Sequence, residues 1–273
     1  MRGVCFAVGW LSLVVLSMSL ARALPNALVL RFSDMESEPY RSVQLTSSSP
    51  APDAPEAPAS NWLRQHDWQK VWPKLFFGKG LELTFAGPPA QRYLRLSADS
   101  AYAVWTHRLT VDPQQQPMFD ITWAVERFPE GAALDLYGRN DRPIVVMVSF
   151  GPEVRSSGLH PDVPRGLALF WGETETVGAT YTCIPPRQGP AEERMQCVYP
   201  HVKYIALRSG GAGTVYTDRV NLLELFRQQF PDYWQEHQQV PPVVAVSFEA
   251  RSDHTKSHSI ARLYTLVFRA TKE

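Results

Sequence analysis

The sequence of 273 residues is short of features that would indicate particular functions. It has no charge excess, because 27 basic residues are balanced by 27 acidic ones. This balance disfavours nucleic acid or an anionic membrane as a partner, since both require a concentrated basic surface. After Leu20 no apolar run approaches the length of about 20 residues that a spanning helix needs. We therefore expect no nucleic acid partner and no transmembrane segment in the mature chain.

Local signatures of common enzyme classes are also missing. The chain has no G-x-S-x-G nucleophile elbow, no G-x-x-x-x-G-K phosphate loop, no H-E-x-x-H zinc motif and no EF-hand loop. The glycine-rich stretch Ser209–Gly213 lies between predicted strands, which favours a turn over phosphate binding. The sequence predicts no cofactor and names no reaction.

The N-terminus predicts export. Arg2 precedes a mostly apolar run over residues 4–20, and Ala21-Arg22-Ala23 follows as an A-x-A cleavage site. We interpret residues 1–23 as a cleaved signal peptide, with an uncleaved N-terminal anchor as the alternative. Cleavage is favoured because the run is short for a spanning helix. The mature chain is then periplasmic or secreted.

Of three cysteines, Cys5 lies within the signal peptide, which leaves Cys183 and Cys197 in an oxidising compartment. The Pro- and Gly-containing segment between them has the composition of a loop. We predict a Cys183–Cys197 disulfide that closes this loop. A metal site is the alternative, but the pair lacks C-x-x-C spacing, so we expect no metal.

Composition divides the chain into four parts. After the signal peptide, a lead over residues 24–46 contains a strand pattern at residues 28–32. Residues 47–60 are rich in Pro, Ala and Ser and predict an extended linker. The main domain then covers residues 61–273, and we expect the lead strand to join its sheet.

The main domain reads as strand after strand, many of them with period-two alternation. Residues 144–148 are apolar without alternation, which predicts a central strand covered on both faces. One segment, Asn221–Phe230, has helical periodicity, with Asn221 as its cap and Pro231 as its stop. The pattern predicts an all-β fold, a two-sheet β-sandwich of jelly-roll type with one short amphipathic helix. The other predicted strands cover residues 81–85, 93–97, 99–109, 118–125, 167–171, 204–207, 243–248 and 263–268.

The main domain carries an ordered set of motifs over about residues 80–269. The principal motif is the strand Phe119–Val125 followed by Phe128-Pro129-Glu130-Gly131. The remaining motifs, in chain order, are Ala168–Trp171, Ala206–Gly210, the helix Asn221–Phe230 and Asp253-His254-Thr255. This ordered set resembles a secreted bacterial family known only as domain of unknown function 3047. The resemblance implies a sandwich similar to carbohydrate-binding modules with no established activity.

Aromatic residues are the main candidates for ligand contact, because sugar rings stack apolar C–H faces on indole or phenol rings. We expect Trp123 and Trp171, in mid-strand, to be buried, and Trp105 or Trp234 to be exposed for binding. Arg208, with its fixed fork of donors, is a candidate for holding a carboxylate or a sugar acid.

Asp253 is a further candidate polar contact, and it shares a loop with His254 and His258. These three groups have the chemistry to hold a transition metal, but Lys256 between them favours a polar, solvated loop.

Three functions remain open at this point. The leading hypothesis is a non-catalytic exported sandwich that binds a glycan or another envelope component, with an aromatic patch exposed on one sheet. The second is a polysaccharide-acting enzyme, which requires two carboxyl groups within about 10 Å of each other. The third is a structural partner in envelope assembly, which requires a flat apolar patch. The candidate carboxylates are Glu173, Glu175, Asp218 and Asp253.

Overall fold

The structure is a computed structural model that describes residues 27–32, 57–72, 80–88, 91–134, 138–156, 161–181 and 199–271. The predicted signal peptide, most of the predicted linker and both cysteines of the predicted disulfide, Cys183 and Cys197, lie outside the described residues. No helix in the described part of the chain is long and apolar enough to cross a membrane.

The described residues form 14 strands and three helices. The strands are β1 (Ala27–Arg31), β2 (Ala57–Pro58), β3 (Trp68–Trp72), β4 (Glu82–Ala86), β5 (Tyr93–Asp99), β6 (Tyr102–Val111), β7 (Met118–Arg127), β8 (Arg142–Val154), β9 (Val163–Gly172), β10 (Thr180–Tyr181), β11 (Val202–Ser209), β12 (Val215–Asn221), β13 (Val243–Arg251) and β14 (His258–Arg269). The helices are α1 (Ser60–Gln65), α2 (Leu222–Gln229) and α3 (Pro231–His237).

The strands form two sheets, and the fold is the predicted jelly-roll-type β-sandwich. Sheet A has the order β12-β7-β14-β5-β4-β2, and β1 adds to it by pairing with the C-terminal half of β14. Sheet B has the order β10-β11-β9-β8-β13-β6-β3. All neighbours are antiparallel except β9 and β11, which run parallel. The lead strand β1 thus lies in the same sheet as the last strand of the chain.

The core lies between the inner faces of the two sheets, as period-two alternation requires. In β8 the inward side chains are Ile144, Val146, Val148 and Phe150, all fully buried. The alternate residue Val145 is also buried, because on the outer face of sheet B it packs with a second apolar cluster that covers the sheet. The predicted central strand, covered on both faces, is therefore confirmed.

Helix α2 begins where its cap predicts. The Asn221 side-chain oxygen accepts hydrogen bonds from the backbone N–H groups of Leu223 (3.1 Å) and Glu224 (3.3 Å), which lack partners within the helix. The helix ends at Gln229, but Pro231 also starts α3, since proline suits the first helical position. The structure thus adds α3, as well as α1, to the single helix that the sequence predicts.

The sandwich has two distinct ends. At one, which we call the helix end, Phe226 of α2 packs on Phe150 of β8 with ring centroids 4.9 Å apart. At the other, the loop end, β8 begins at Arg142 while β9, β11 and β13 finish. The described parts of four connections meet there, namely residues 128–134 with 138–141, 173–179, 210–214 and 252–257.

Candidate functional site

The outer face of sheet B carries a group of polar and tyrosine side chains at the loop end. Strand register places Tyr102, Arg251 and Arg142 side by side across β6, β13 and β8. Glu249 lies two residues before Arg251 in β13 and therefore on the same face. We call this group the outer polar cluster; its members are Tyr102, Asp141, Arg142, Tyr204, Glu249 and Arg251.

A buried ion pair between Arg142 and Glu249 forms the floor of the outer polar cluster. The two side chains are only 5% and 6% exposed. Arg142 also donates to the backbone carbonyl of Asn140 (2.8 Å), and its guanidinium lies 4.5 Å from the ring centre of Tyr204. Charges are rarely buried unless they are paired, because taking them out of water is costly. This buried pair lies on the outer face of sheet B and not in the hydrophobic core between the two sheets.

Arg251 forms the rim of the outer polar cluster. Its guanidinium lies 4.8 Å from the ring centre of Tyr102, and its Nε donates to Asp253 Oδ1 (2.7 Å). Its Nη2 also contacts the imidazole of His254. The turn over residues 252–257 is tied to β8 because Asp141 accepts from both the backbone N–H (2.7 Å) and the hydroxyl (2.7 Å) of Thr255.

Burial shifts the pKa values of two tyrosines and one histidine at this site. Burial, reinforced by the negative charge of Glu249, raises the pKa of Tyr204 to about 12. The same two causes raise the pKa of Tyr102 well above its ordinary value. Burial and then the positive charge of Arg251 lower the pKa of His254. At neutral pH both phenols therefore remain hydrogen-bond donors and the imidazole stays uncharged.

Three buried polar atoms at this site have no hydrogen-bond partner among the described residues. They are Asn140 Oδ1, Arg142 Nε and His254 Nδ1. Most buried polar atoms in proteins are paired, and leaving one unpaired costs roughly 1–3 kcal/mol. All three of these buried atoms lie at the loop end of the sandwich.

The charge of the site restricts the ligand. Within the cluster, Arg142 and Arg251 are matched by the carboxylates of Asp141 and Glu249. The adjoining turn adds one residue of each sign, Asp253 and Lys256, so the formal charges of the site balance. An anion gains nothing from such a site, whereas a neutral ligand with many hydroxyl groups finds both donors and acceptors.

A second group of side chains lies between the sheets at the loop end. Trp123 and Tyr216 are register partners in β7 and β12, and Trp171, one residue before the end of β9, lies opposite Arg208 of β11. The indole N–H of Trp123 donates to Asp218 Oδ2 (2.7 Å), and Arg208 Nε donates to the same oxygen (2.5 Å). We call this group the inter-sheet cluster; its members are Trp123, Trp171, Arg208, Tyr216 and Asp218.

The predicted ligand residues do not form one site. Trp105 is only 3% exposed, so its predicted exposure is wrong: register pairs it with Phe248 on the inner face of sheet B. Trp234 lies on α3 at the helix end, half-buried, with the Arg227 guanidinium 4.1 Å from its ring centre. Asp253 adjoins the outer polar cluster and Arg208 belongs to the inter-sheet cluster. The predicted burial of Trp123 and Trp171 is confirmed.

The four candidate carboxylates have different environments. Strand β9 ends at Gly172, and Glu173 and Glu175 lie in the connection after it. Glu173 is exposed, whereas Glu175 is buried and accepts from the backbone N–H of Leu134 (2.8 Å). Asp218 pairs with Arg208, and Asp253 pairs with Arg251. Neither Glu173 nor Glu175 lies in strand β9, so strand geometry does not place their side chains on one face.

Imidazole groups are likewise dispersed. His258 Nε2 lies 2.9 Å from the hydroxyl of Ser97, whereas His254 contacts Arg251. The described residues contain no group of three or more His, Cys, Asp or Glu side chains placed to hold a metal ion.

Sequence reasoning missed the charged pair at the centre of the outer polar cluster. Arg142 lies two residues before the start of the apolar run over residues 144–148, and Glu249 and Arg251 alternate with Phe248 and Ala250. Charges that alternate with buried residues in a strand were the available signal. It stays weak until the neighbouring strands are known, because the same pattern describes any solvent-facing side of a sheet.

Comparison with solved structures finds distant similarities. The chain is similar to the xyloglucanase domain of NopAA, a type three effector from Sinorhizobium fredii, in complex with cellobiose, at 9% identity, covering 73% of this chain and 90% of that one with a TM-score of 0.34. It is similar to Trichoderma harzianum endoglucanase 3 from family GH12 at 10% identity, covering 73% and 80% with a TM-score of 0.31. It is also similar to endoglucanase cel12A from Rhodothermus marinus at 11% identity, covering 74% and 92% with a TM-score of 0.34. Similarities this distant indicate neither a substrate nor an activity.

Comparison at the level of sequence is more decisive. No curated protein matches the chain. The family model described as "Protein of unknown function (DUF3047)" matches residues 72–267, which include both clusters at the loop end. The chain therefore belongs to the DUF3047 family.

Proposed function

We propose that the chain is a non-catalytic binding protein whose outer polar cluster binds a neutral glycan. The observation that carries the proposal is a buried polar cluster on the outer face of a sheet, with three buried polar atoms left unpaired. A polar group inside a core is expected to be satisfied by the protein itself. On a sheet face, unpaired donors and acceptors beside tyrosine rings are what a polyhydroxylated ligand requires.

Sugar chemistry fits the inventory of this cluster. Each hydroxyl group of a sugar both donates and accepts, and the cluster offers donors on Arg142, Tyr102 and Tyr204 and acceptors on carboxylates and on Asn140 Oδ1. The two tyrosines, both half-buried, supply apolar ring surface for the C–H faces of a sugar. The balance of formal charges gives no preference for an acidic sugar over a neutral one.

The arrangement of carboxylates favours binding over hydrolysis. A glycosidase needs one carboxylic acid that keeps its proton and a second carboxylate across the scissile bond. Here Glu249, Asp253 and Asp218 each form an ion pair with an arginine. Glu175 accepts from backbone N–H groups. These four carboxylates are thus engaged by groups of the protein itself.

An assembly role finds less support in the described residues. Their exposed large apolar side chains are Val71, Val177 and Val215, which lie on three different elements. Single exposed apolar residues are ordinary on protein surfaces and do not make an interface. We further propose that the chain works outside the cytoplasm, where the predicted export would deliver it to envelope or extracellular glycans.

The experiment is a glycan-array screen of the purified exported chain, followed by calorimetry with the strongest neutral hit. Tyr204→Ala removes a ring of the cluster and is expected to weaken binding at least tenfold. The matched control is Tyr264→Ala, which removes a half-buried tyrosine from sheet A. Equal loss in both variants, or binding confined to acidic glycans, would refute the proposal.

The same samples test whether the protein is catalytic. The bound glycan is incubated with the chain, and new reducing ends are quantified over a day. We expect none above the buffer blank. Release of reducing ends that disappears in Glu249→Gln would contradict the non-catalytic assignment while leaving the binding site in place.

A further inference from the structure

A second set of polar and aromatic side chains lies on the other face of sheet B, in the inter-sheet cluster. Arg208 is fixed there on two sides: its Nε donates to Asp218 Oδ2 (2.5 Å), and its guanidinium lies 3.5 Å from the ring centre of Tyr216. The ring centre of Trp171 is 5.6 Å away. An arginine held in this way has lost its rotamer freedom before any ligand arrives, which lowers the entropic cost of binding.

The partner of Arg208 is itself held in place. Asp218 Oδ2 accepts from the indole N–H of Trp123 (2.7 Å), and Trp123 is fully buried. The carboxylate therefore cannot swing to cover the outer edge of the guanidinium without leaving a buried indole N–H unpaired. This contact leaves the two terminal nitrogens of Arg208 outside the ion pair.

The terminal nitrogens of Arg208 face solvent. The side chain is 25% exposed, only its Nε hydrogen-bonds within the described part of the chain, and its other nitrogens are not among the buried unpaired atoms. Two terminal amino groups of a guanidinium form a planar fork that matches the two oxygens of a carboxylate. The free edge of Arg208 thus has the geometry of a carboxylate receptor.

Space beside the fork is provided by the glycine-rich turn over residues 210–213. Gly211 and Gly213 have φ values of +73° and +89°, and a Cβ at either would meet no atom within 4 Å. The turn is tied to the cluster because the Gly210 carbonyl accepts from the Trp171 indole N–H (2.7 Å). Small residues next to the fork leave room for a ring to lie against the turn.

We propose that Arg208 binds the carboxylate of an acidic sugar at the loop end, with the sugar ring seated between Tyr216 and the glycine-rich turn. Because Asp218 balances the charge of Arg208, selection comes from the directional fork and the adjacent ring and not from net charge. This site is distinct from the neutral-glycan site on the outer face of sheet B and does not rest on it.

The experiment titrates the exported chain with glucuronate, using the tryptophan fluorescence to which Trp123 and Trp171 contribute. We expect saturable binding that glucose does not compete for. Arg208→Lys keeps the charge but removes the fork, and should weaken binding about tenfold to a hundredfold, the value of one or two charge-assisted hydrogen bonds. Arg227→Lys, which alters the arginine stacked on Trp234 at the helix end, should change nothing.

Several results would overturn the assignment. Unchanged affinity in Arg208→Lys would show that the guanidinium fork does not bind the carboxylate. Acetate binding as tightly as glucuronate would show that the sugar ring contributes nothing to the affinity. A measurement on the unaltered chain guards against a variant that fails to fold. Glucuronate should shift the Nε–H resonance of Arg208 in the NMR spectrum of ¹⁵N-arginine-labelled protein, and a spectrum without that shift would refute the site.

Discussion

The ion pair between Arg142 and Glu249 predicts a large and asymmetric loss of stability on mutation. Its side chains are only 5% and 6% exposed, so a partner left alone is a buried, uncompensated charge. Breaking such a pair from one side costs about 3–5 kcal/mol, against a typical total stability of about 5–15 kcal/mol. Arg142→Met should lie near the upper end, because no other residue in the described part of the chain forms an ion pair with Glu249. Glu249→Gln should lie near the lower end, because the amide oxygen can still accept from Arg142.

Equilibrium unfolding in urea measures these values, and the double variant separates charge from packing. Arg142→Met combined with Glu249→Gln removes both charges of the pair, so its loss should fall well below the sum of the single losses. The control is Arg219→Met, which breaks an ion pair to Asp120 whose arginine is 55% exposed. It should cost no more than about 1 kcal/mol. Single losses at Arg142 and Glu249 as small as that control would show that the pair is solvated and would refute the reasoning.

Three further predictions concern the fold around the site. Gly172→Ala places a methyl group on the Glu175 carboxylate, and should cost about 1–3 kcal/mol in urea unfolding. Gly166→Ala should cost less, because its methyl group would approach no side-chain atom of Met147 or Val202 closer than 3.1 Å. Asn221→Ala removes the cap of α2 and should cost about 1 kcal/mol, and a loss below 0.3 kcal/mol would contradict that capping role. The pKa of His254 is lowered in the folded state, so its stabilising contribution is present above about pH 6.5 and is lost as the pH falls through the folded-state pKa. His254→Gln should therefore flatten the pH dependence of the unfolding free energy between about pH 6.5 and that lower pKa.

Most of the secondary structure is predicted by local sequence patterns, which do not depend on which strands pair. Period-two alternation identifies most of the strands, and Asn221 marks the start of α2 because an uncapped helix end would leave N–H groups unpaired. Pro231 shows the limit of such signals. The same residue ends one helix and opens the next, and a single sequence does not distinguish a stop from a new start.

The face to which a strand residue points shows a second limit. Alternation predicts that Trp105 and its neighbours in the strand point to opposite faces of the sheet, but it does not predict which face is buried in the core. That choice is made by the pairing of Trp105 with Phe248, a residue far along the chain. Exposure of a tryptophan in a strand therefore depends on register, which a single sequence does not contain.

The candidate site depended even more on distant pairings. Arg142 and Glu249 are 107 residues apart, and Trp123 and Asp218 are 95 residues apart. Each pair meets because β8 lies beside β13, and β7 beside β12. Asp253 and Arg208 were identified from their chemistry alone, but their partners were not, and the partners determine that one belongs to a polar surface and the other to an inter-sheet cluster.

The most direct test of the central claim is NMR mapping of the bound glycan on the unaltered chain. Backbone amide shifts are recorded while the strongest neutral hit from the glycan array is titrated to saturation. The account predicts that the largest shifts fall on Tyr102, Tyr204 and the strand-to-turn segment from Glu249 to His254, all at the loop end of sheet B. Shifts concentrated instead on α3 around Trp234, with the outer polar cluster unaffected, would contradict it.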